Sequence, residues 1–294
     1  MWVRGSFFLY RDEVDRLLSE REHECVRLAE TIEQARAFPS LAKEVMGALH
    51  FFGPGAVDGI AAADSAGTVH CILPRAETDD SALHELLSAH IRIRKVTGQL
   101  GDVSRLVGGI DALHWSTQSY TLMRLRTGMA QPSHGAIRVS ARSASRADAR
   151  PLTIEIRDAN DDDFKSLVAL HRDYQREELR MDASLAETGY RIRALQEHQM
   201  VSIALLDGEP IGKINTNARG IFCDQIGGFY IVPARRRMGV GARLMDHLIT
   251  RIRSEEKDAV LYLRRENLTA RRLYDRAGFL PVGECAMSTV RTTH

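Results

Sequence analysis

One stretch of the chain, residues 226–252, restricts the fold more than any other. It begins with an apolar run rich in β-branched and aromatic residues, which Pro233 ends, and this pattern is typical of a buried strand. Apolar residues then recur at the spacing of one helix face, at Val240, Leu244, Met245, Leu248, Ile249 and Ile252. The two patterns predict a strand that leads into a helix through a loop rich in arginine and glycine.

The loop between this strand and this helix has the composition of a phosphate-binding site. Three arginines, Arg235, Arg236 and Arg237, precede two glycines, Gly239 and Gly241. The first amides of a helix lack intrahelical acceptors, and the helix dipole favours negative charge there. Because glycine has no side chain, a ligand can approach the backbone closely. The loop is therefore predicted to be a binding site for a diphosphate.

Three kinds of diphosphate site could use such a loop. A nucleotide kinase needs Gly-x-x-x-x-Gly-Lys-Ser/Thr, which the chain lacks. A dinucleotide fold needs Gly-x-Gly-x-x-Gly, and here Leu244 stands at the third position. The third kind follows from a resemblance. The run from Arg236 to Gly241 resembles the Arg-x-x-Gly-x-Gly signature of the GNAT superfamily of N-acetyltransferases, whose loop binds the pyrophosphate of acetyl-CoA.

A second block downstream resembles the other GNAT signature, Asn-x-x-Ala-x-x-Leu-Tyr-x-x-x-Gly-Phe. It begins at Asn267 and follows a strand-like run at residues 260–263. Independently of the family, Asn267 is a good helix N-cap, and Gly278 stands where a left-handed C-cap is expected. One departure is that Arg264 and Arg265 stand where family members often carry Val-Asn.

The resemblance implies a set of residues that bind acetyl-CoA and act on it. The expected cofactor-binding residues are Ile231, Val232, Arg236, Arg237, Met238, Gly239, Val240, Gly241, Ala242, Asn267 and Tyr274. In the family, the strand before the loop is splayed and offers free backbone N–H groups to the acetyl carbonyl, here with Ile231 as the expected position. Tyr274 occupies the family's general-acid position. The alternative is a helix tyrosine that only packs against the core.

The general base is not fixed by the two motifs. A lysine-like amine costs roughly 4–5 kcal/mol to deprotonate at pH 7, so a carboxylate or a water chain is expected to help. Glu178 is the leading candidate, because the corresponding helix end lines the acceptor site in relatives. Glu177 and Asp224 are the other candidates, and each of the three carboxylates is also explained as a surface charge.

The activity implied by the resemblance is transfer of an acetyl group from acetyl-CoA to a primary amine by direct attack, with no metal. The amine-bearing acceptor is left open between a small molecule, a peptide and a protein. Two alternatives remain. One is a CoA-binding regulatory protein without turnover, and the other is a transferase that uses another acyl-CoA.

Composition restricts the partners and the compartment. Apolar content of 44% and a formal net charge of +1 are typical of an ordinary globular protein and predict neither a nucleic-acid nor a membrane partner. Four cysteines without paired spacing predict buried free thiols rather than a zinc site or a disulfide framework. With no apolar run long enough for a signal peptide or a transmembrane helix, a cytoplasmic protein is expected.

The predicted fold class is α/β (α+β), with a mixed twisted sheet flanked by helices. A length of 294 residues favours two domains. The GNAT fold is expected over residues 151–294, after a linker rich in Ser, Ala and Arg at 131–150. Residues 1–130 are predicted to form an α/β domain, either a degenerate, non-catalytic GNAT-like domain or an unrelated one.

The first half is interpreted as a degenerate repeat of the second half. Its predicted elements are, in order, helices over 11–38 and 40–49, a hairpin over 57–73, a helix over 80–89, a strand over 91–97, a short helix over 102–107 and a strand over 120–126. Where the second half has glycines ahead of its helix, the first half has Glu77, Asp79 and Asp80. Since these carboxylates would repel a diphosphate, one CoA per chain is expected, bound by the second half.

Overall fold

The computed structural model describes most of the chain, and its helices and strands alternate throughout. The described residues are 2–5, 10–37, 48–53, 56–64, 66–75, 80–81, 83–85, 93–110, 114–128 and 153–291. The strands are β1 (Trp2–Gly5), β2 (Ala48–Gly53), β3 (Ala56–Ala63), β4 (Thr68–Ile72), β5 (Lys95–Gln99), β6 (Trp115–Leu125), β7 (Ile154–Asp158), β8 (Val201–Leu206), β9 (Glu209–Arg219), β10 (Cys223–Ile231), β11 (Asp258–Leu263) and β12 (Leu280–Val290). The helices are α1 (Arg11–Arg21), α2 (Val26–Ala37), α3 (Leu100–Gly108), α4 (Phe164–Tyr174), α5 (Leu185–His198), α6 (Val240–Ser254) and α7 (Leu268–Arg276).

The strands form one mixed sheet in which the two halves of the chain mirror each other. Its order is β1-β2-β3-β4-β5-β12-β6-β11-β10-β9-β8-β7. The last strand of each half crosses to the other half, so that β12 pairs with β5 and β6 pairs with β11. In each half the fourth and fifth strands are parallel, and the other neighbouring pairs are antiparallel.

This arrangement confirms the predicted mixed sheet flanked by helices, and the repeated order of elements agrees with the predicted repeat. The proposed linker at 131–150 lies outside the described residues, so the division into two domains stays a prediction. The structure adds that the sheet is continuous across the two halves, because β6 lies between β11 and β12.

Helices cover both faces of the second half of the sheet. On β8, Val201, Ile203 and Leu205 belong to the apolar cluster that includes residues of α4 and α5. Ala204 and Leu206 belong instead to the cluster built around α6. Because successive side chains of a strand point to opposite faces, α6 lies on the face opposite α4 and α5. The six apolar positions that predicted α6 are all buried.

The helix predicted over 11–38 is wrong as a single element. It is broken into α1 and α2 by a 3-10 turn at Glu22–Glu24. The Glu22 carboxylate accepts hydrogen bonds from three backbone N–H groups of the turn at residues 221–223, at 2.7 to 3.2 Å. Burial raises the pKa of Glu22 to about 7. A contact between the two halves therefore accompanies the break in a continuous amphipathic pattern.

The helix predicted over 40–49 is wrong at its end, because Ala48 and Leu49 belong to β2. Both residues pair with β1 on one side and with β3 on the other, and two neighbouring strands outweigh a local helical pattern. Residues 38–47 lie outside the described part of the chain. The predicted hairpin is confirmed as β3 and β4.

The cysteine prediction is confirmed, since all four thiols are free and buried. Among the described residues, no helix combines the length and the apolar character needed to cross a membrane.

Candidate active site

The second half contains a gap between the two parallel strands β10 and β11. Their pairing runs from Cys223 opposite Asp258 to Ile226 opposite Leu261. Beyond that point β10 continues along β9 to Ile231, while β11 continues along β6 to Leu263. The two strands therefore separate toward the end of β10 that leads into α6.

The backbone of Ile231 is directed into this gap. The Val232 N–H donates to the Ile211 carbonyl at 3.0 Å, on the β9 side. Because adjacent residues of an antiparallel ladder direct their polar groups to alternate sides, the Ile231 N–H and carbonyl point away from β9. The Ile231 carbonyl accepts a hydrogen bond from Arg236 Nε at 2.9 Å, which is consistent with that direction.

The start of α6 leaves three backbone amides without helical acceptors. Gly239 precedes the helix with a φ of 76°, a left-handed conformation that glycine adopts without strain. The N–H of Arg243 donates to the Gly239 carbonyl, so the amides of residues 240–242 lie ahead of the first helical bond. Gly239 provides no side-chain cap, and the first turn of α6 contains no acidic residue. An anion is therefore the complementary partner for this helix end.

The three arginines of the loop have different neighbours. Arg235 and Arg237 are exposed beside the helix end. Arg236 turns back toward β10, where its guanidinium lies 2.5 Å from a Glu177 carboxylate oxygen and 5.6 Å from the centre of the Tyr230 ring. Arg235 and Arg237 therefore remain the cations available to a bound anion, whereas Arg236 supports the end of β10.

The structure adds a packing reason for the second glycine of the motif. A Cβ built on Gly241 would lie 3.0 Å from the ring of Phe229 and 3.7 Å from a methyl carbon of Leu273. The close approach of α6 to β10 therefore gives a packing reason for this glycine, and its predicted contact with a ligand stays a prediction.

The second motif folds as predicted at both of its ends. The Asn267 side chain accepts a hydrogen bond from the Ala270 N–H at 3.0 Å, which confirms it as the N-cap of α7. At the other end Gly278 has a φ of 91°, and the Phe279 N–H donates to the Tyr274 carbonyl at 3.0 Å. This Schellman-type ending fixes the position of Tyr274 in the last turn of the helix.

The ionisation of Tyr274 is influenced by Tyr174, at the end of α4, and by Glu178, in the turn that follows α4. The half-buried ring of Tyr274 packs against Phe279, with ring centres 6.1 Å apart. Burial raises the pKa of Tyr274, and the neighbouring Tyr174 hydroxyl and Glu178 carboxylate raise it further. The phenol is therefore protonated at neutral pH. The charge of Glu178 thus acts on Tyr274, although the two residues are far apart in the sequence.

The three candidate bases have different surroundings. Glu177 is engaged by Arg236 and also accepts a hydrogen bond from the Tyr230 hydroxyl at 3.2 Å. The pKa of Glu177 is lowered, chiefly by the hydrogen bond from Arg236, which makes it a poor base. Glu178 lies on the single π-helical turn that follows α4, at Gln175–Leu179, and has no ion pair within the described residues. π-Helical turns occur frequently at functional sites.

Asp224 lies at the opposite end of β10 from the gap. It is buried between Arg219 and Lys257, with N–O distances of 3.4 and 3.5 Å. The eight residues from Asp224 to Ile231 span roughly 20 Å in an extended strand. Asp224 is therefore remote from Ile231, whose backbone is directed into the gap.

The two arginines that depart from the second motif contact different neighbours. Arg265 forms an ion pair with Glu284 of β12. Burial raises the pKa of Tyr120 on β6, and the charge of Arg264 and its hydrogen bond to the phenol partly offset this rise. These contacts tie the end of β11 to the two exchanged strands.

Sequence reasoning missed Lys213, which is fully buried on β9. Its Nζ donates to Asn215 Oδ1 at 2.9 Å and to the Gly228 carbonyl at 2.8 Å, and it lies 5.5 Å from the centre of the Tyr174 ring. Burial, together with the charge of Arg191, lowers the pKa of Lys213 to about 7. The available signal was a lone lysine within the strand pattern of residues 211–216.

Lys213 should make the stability of the protein depend on pH. Its pKa is lower in the folded chain than in the unfolded chain, so the unfolded chain binds more protons between pH 7 and 10.5. The free energy of unfolding therefore rises with pH in this window and gains nothing from Lys213 below it. Relative to Lys213→Met, the wild-type protein should gain ~2 kcal/mol from pH 7 to 9 in denaturant titrations.

The groups around Lys213 do not titrate in that window in a way that would mask the effect. His171 and Tyr174 face Lys213 from α4, Tyr230 lies opposite it on β10, and Arg191 approaches from α5. Burial lowers the pKa of His171 to about 3 and raises the pKa of both tyrosines, so all three stay neutral. Unfolding free energies of the two proteins that changed in parallel from pH 7 to 9 would contradict the prediction.

The corresponding place in the first half is closed. β4 and β5 pair up to His70 opposite Thr97, and a Cβ on Gly98 would lie only 2.6 Å from the Cys71 carbonyl oxygen. Just beyond β4, the Leu73 N–H donates to the Asp102 carboxylate at 2.9 Å. Arg21 donates to the Leu73 carbonyl at 2.6 Å, so buried side chains already occupy these backbone groups.

The acidic loop of the first half differs from the sequence interpretation. Asp80 is buried, and it accepts hydrogen bonds from Trp2 Nε1 at 3.1 Å and from Arg105 at 2.6 Å. Its charge is therefore compensated and is not presented to a ligand. Glu77 and Asp79 lie outside the described residues. The closed strand pair is the stronger reason to expect a single CoA per chain.

Within the described residues, no group of three or more His, Cys, Asp or Glu side chains is placed to hold a metal ion.

Comparison with solved structures shows that this fold is shared along nearly the whole chain. A Drosophila protein has 14% identity and a TM-score of 0.66, over 99% of this chain and 98% of its own. A GNAT-family acetyltransferase from Colwellia psychrerythraea has 9% identity and a TM-score of 0.52, over 99% and 100% of the two chains. A GCN5-related N-acetyltransferase from Kribbella flavida has 14% identity and a TM-score of 0.54, over 90% and 96%. At these identities the likeness shows the fold alone.

Sequence comparison assigns the second half to a family. No curated protein matches the chain. The family model described as "Acetyltransferase (GNAT) family" matches residues 156–279, a range that contains the gap, the start of α6 and all of α7. Residues 156–279 therefore belong to the GNAT family of acetyltransferases.

Proposed function

We propose that this protein transfers an acetyl group from acetyl-CoA to a primary amine. One observation carries the proposal. The pairing of β10 with β11 ends at Ile226, yet β10 continues to Ile231 and leads directly into the uncapped start of α6. A thioester placed in the gap would meet the Ile231 backbone, and a diphosphate would meet the helix end.

The proposed binding site for CoA combines backbone amides and exposed cations. The amides of residues 240–242 and the side chains of Arg235 and Arg237 would hold the diphosphate. Val232, Met238 and Gly239 would line its approach, and Asn267 would stand on the opposite wall at the start of α7. Arg236 would act through the end of β10, since its guanidinium is bound to the Ile231 carbonyl and to Glu177.

The proposed chemistry is direct attack of the neutral amine on the thioester carbonyl. The nitrogen–carbon bond forms, and negative charge develops on the carbonyl oxygen, toward which the Ile231 N–H would donate. The carbon–sulfur bond then breaks, and Tyr274 donates a hydrogen bond or its proton to the leaving sulfur. Because the pKa of Tyr274 is raised, its phenol is available as a donor at neutral pH.

Glu178 is the proposed base for the amine proton. Its charge acts on both Tyr174 and Tyr274, because its carboxylate raises the pKa of each phenol. Of the candidate carboxylates it is the one near the gap without an ion pair among the described residues, as Glu177 is held by Arg236. The amine proton would pass to Glu178 directly or through water.

The proposal is tested by release of free thiol from acetyl-CoA with a panel of amines. Amine-dependent release, together with a product heavier by one acetyl group, is the expected result. Binding of CoA without release with any amine would indicate instead a CoA-binding protein without turnover. Mass spectrometry of ligand that co-purifies with the protein would identify a different acyl donor.

A further inference from the structure

The bulge in β10 is held by an unusual set of polar side chains. Its register on β9 jumps from Gly227 opposite Asn215 to Tyr230 opposite Lys213, so two residues of β10 have no partner in this ladder. Gly228, one of these two, has a φ of 55°. Its carbonyl is free of the ladder, and Lys213 Nζ supplies the donor at 2.8 Å.

The two glycines of the bulge fit closely over the polar side chains of β9. A Cβ on Gly227 would lie 1.9 Å from the Asn217 amide nitrogen, and one on Gly228 would lie 2.0 Å from Asn215 Oδ1. Asn215 in turn accepts from Lys213 Nζ at 2.9 Å and donates to Asn217 Oδ1 at 3.1 Å. Lys213, Asn215 and Asn217 thus form one hydrogen-bonded row beneath the bulge.

A buried lysine at this position lowers the stability of the fold, so its presence calls for a specific function. Its side chain is fully buried, and both acceptors of its Nζ are neutral oxygens. Burial of an ammonium without an anionic partner costs free energy, which an apolar side chain of similar length would avoid. The contact that an apolar side chain could not reproduce is the hydrogen bond to the Gly228 carbonyl.

We infer that Lys213 is a positioning residue of the acyl-transfer site, which fixes the β10 bulge through Gly228 and so directs the Ile231 N–H into the gap. The bulge determines which residues of β10 face β9, because a shift of one residue reverses the direction of every group that follows. Without the Lys213 donor, the Gly228 carbonyl and Asn215 Oδ1 lose a partner, and the end of β10 loses its fixed register. The inference rests on the proposed function, which assigns the Ile231 N–H to the thioester carbonyl.

The test compares acetyl-CoA with CoA in the full chain, by calorimetry, for wild type, Lys213→Met and the control Ile203→Ala. Ile203 is fully buried and pairs with Lys213 from β8, so its truncation disturbs the same core without touching the bulge. The Lys213→Met change should weaken the binding of acetyl-CoA, relative to that of CoA, by about fivefold. This is the contribution of about one hydrogen bond to the carbonyl. CoA affinity should change little, since the start of α6 is unaltered.

A spectroscopic measurement separates positioning from simple loss of stability. The infrared carbonyl band of acetyl-CoA labelled with carbon-13 should shift to lower frequency on binding to wild type and to Ile203→Ala, and should shift less with Lys213→Met. If Lys213→Met fails to fold, Lys213→Gln, which keeps a donor on a shorter side chain, replaces it and should show an intermediate shift.

Two results would overturn the inference, and they are distinguishable. An unchanged carbonyl shift and an unchanged ratio of acetyl-CoA to CoA affinity in the Lys213 variant would contradict it, while the proposed function stands. A wild-type protein that binds neither CoA nor acetyl-CoA would contradict the proposed function and this inference with it.

Discussion

Replacing Ala242 with proline is expected to weaken CoA binding by ~10- to 100-fold, because a hydrogen bond to a charged group contributes about 1.5–3 kcal/mol. Ala242 is the third residue of α6, and its N–H lies ahead of the first helical hydrogen bond. Proline removes this N–H without breaking a bond of the helix. The preceding residue, Gly241, tolerates the restriction that proline places on its neighbour better than other residues do.

The matched control is Ala242→Val, which adds comparable bulk and keeps the N–H. Calorimetry with CoA should therefore separate the two variants, with the valine variant close to wild type. Thermal unfolding checks that both chains are folded. Equal CoA affinities for the proline and valine variants would mean that the amides at the start of α6 do not hold the diphosphate.

Replacing Tyr274 with phenylalanine is expected to slow turnover by roughly thirtyfold, with CoA affinity nearly unchanged. A thiol leaving group has a pKa of about 8.5, so protonating it at pH 7 offers only ~2 kcal/mol. The raised pKa of Tyr274 limits it to a similar effect, because a phenol that holds its proton tightly acts mainly as a hydrogen-bond donor to the departing sulfur. Steady-state kinetics with acetyl-CoA and an accepted amine measure the change.

A loss confined to kcat would support the role of the hydroxyl, since phenylalanine keeps the packing of the ring against Phe279. The variant Glu178→Gln helps to separate the two proton transfers. It should lower turnover most at low pH, where less of the amine is already neutral. A wild-type rate for Tyr274→Phe would return this tyrosine to a purely structural role.

Local sequence patterns were sufficient to predict much of the secondary structure of the second half. The period of apolar residues predicted α6, and each of those six positions is buried. The cap residues of α7 could also be predicted from the sequence, because Asn267 and Gly278 act through contacts within a few residues of the chain. Features governed by short-range hydrogen bonds and by helix periodicity are therefore available from sequence.

Features that depend on contacts between residues distant in the sequence could not be predicted from the sequence. The break between α1 and α2 involves Glu22, whose partners lie about 200 residues away at 221–223. The exchange of β6 and β12 is equally hidden, because strand patterns do not specify which strands pair. The packing of Gly241 against the ring of Phe229 could not be predicted for the same reason, since Phe229 belongs to another element.

The site itself was predicted in part. The motifs placed Ile231, Gly239 and Tyr274 on their elements, and the structure adds the gap into which the Ile231 backbone is directed. Lys213 was missed because a single lysine in a strand is usually exposed, and only the bulge of β10 explains its burial. The effect of Glu178 on the pKa of Tyr274 likewise depends on how segments distant in the sequence fold together.

The central claim is that the gap of the second half, and not its closed counterpart in the first half, binds acetyl-CoA. The most direct measurement is a calorimetric titration of the full chain with CoA. In the first half, Gly98 lies against the Cys71 carbonyl, and Arg21 and Asp102 occupy the backbone of Leu73, so one CoA per chain is the expected stoichiometry. A stoichiometry near two, or no binding at all, would contradict the account.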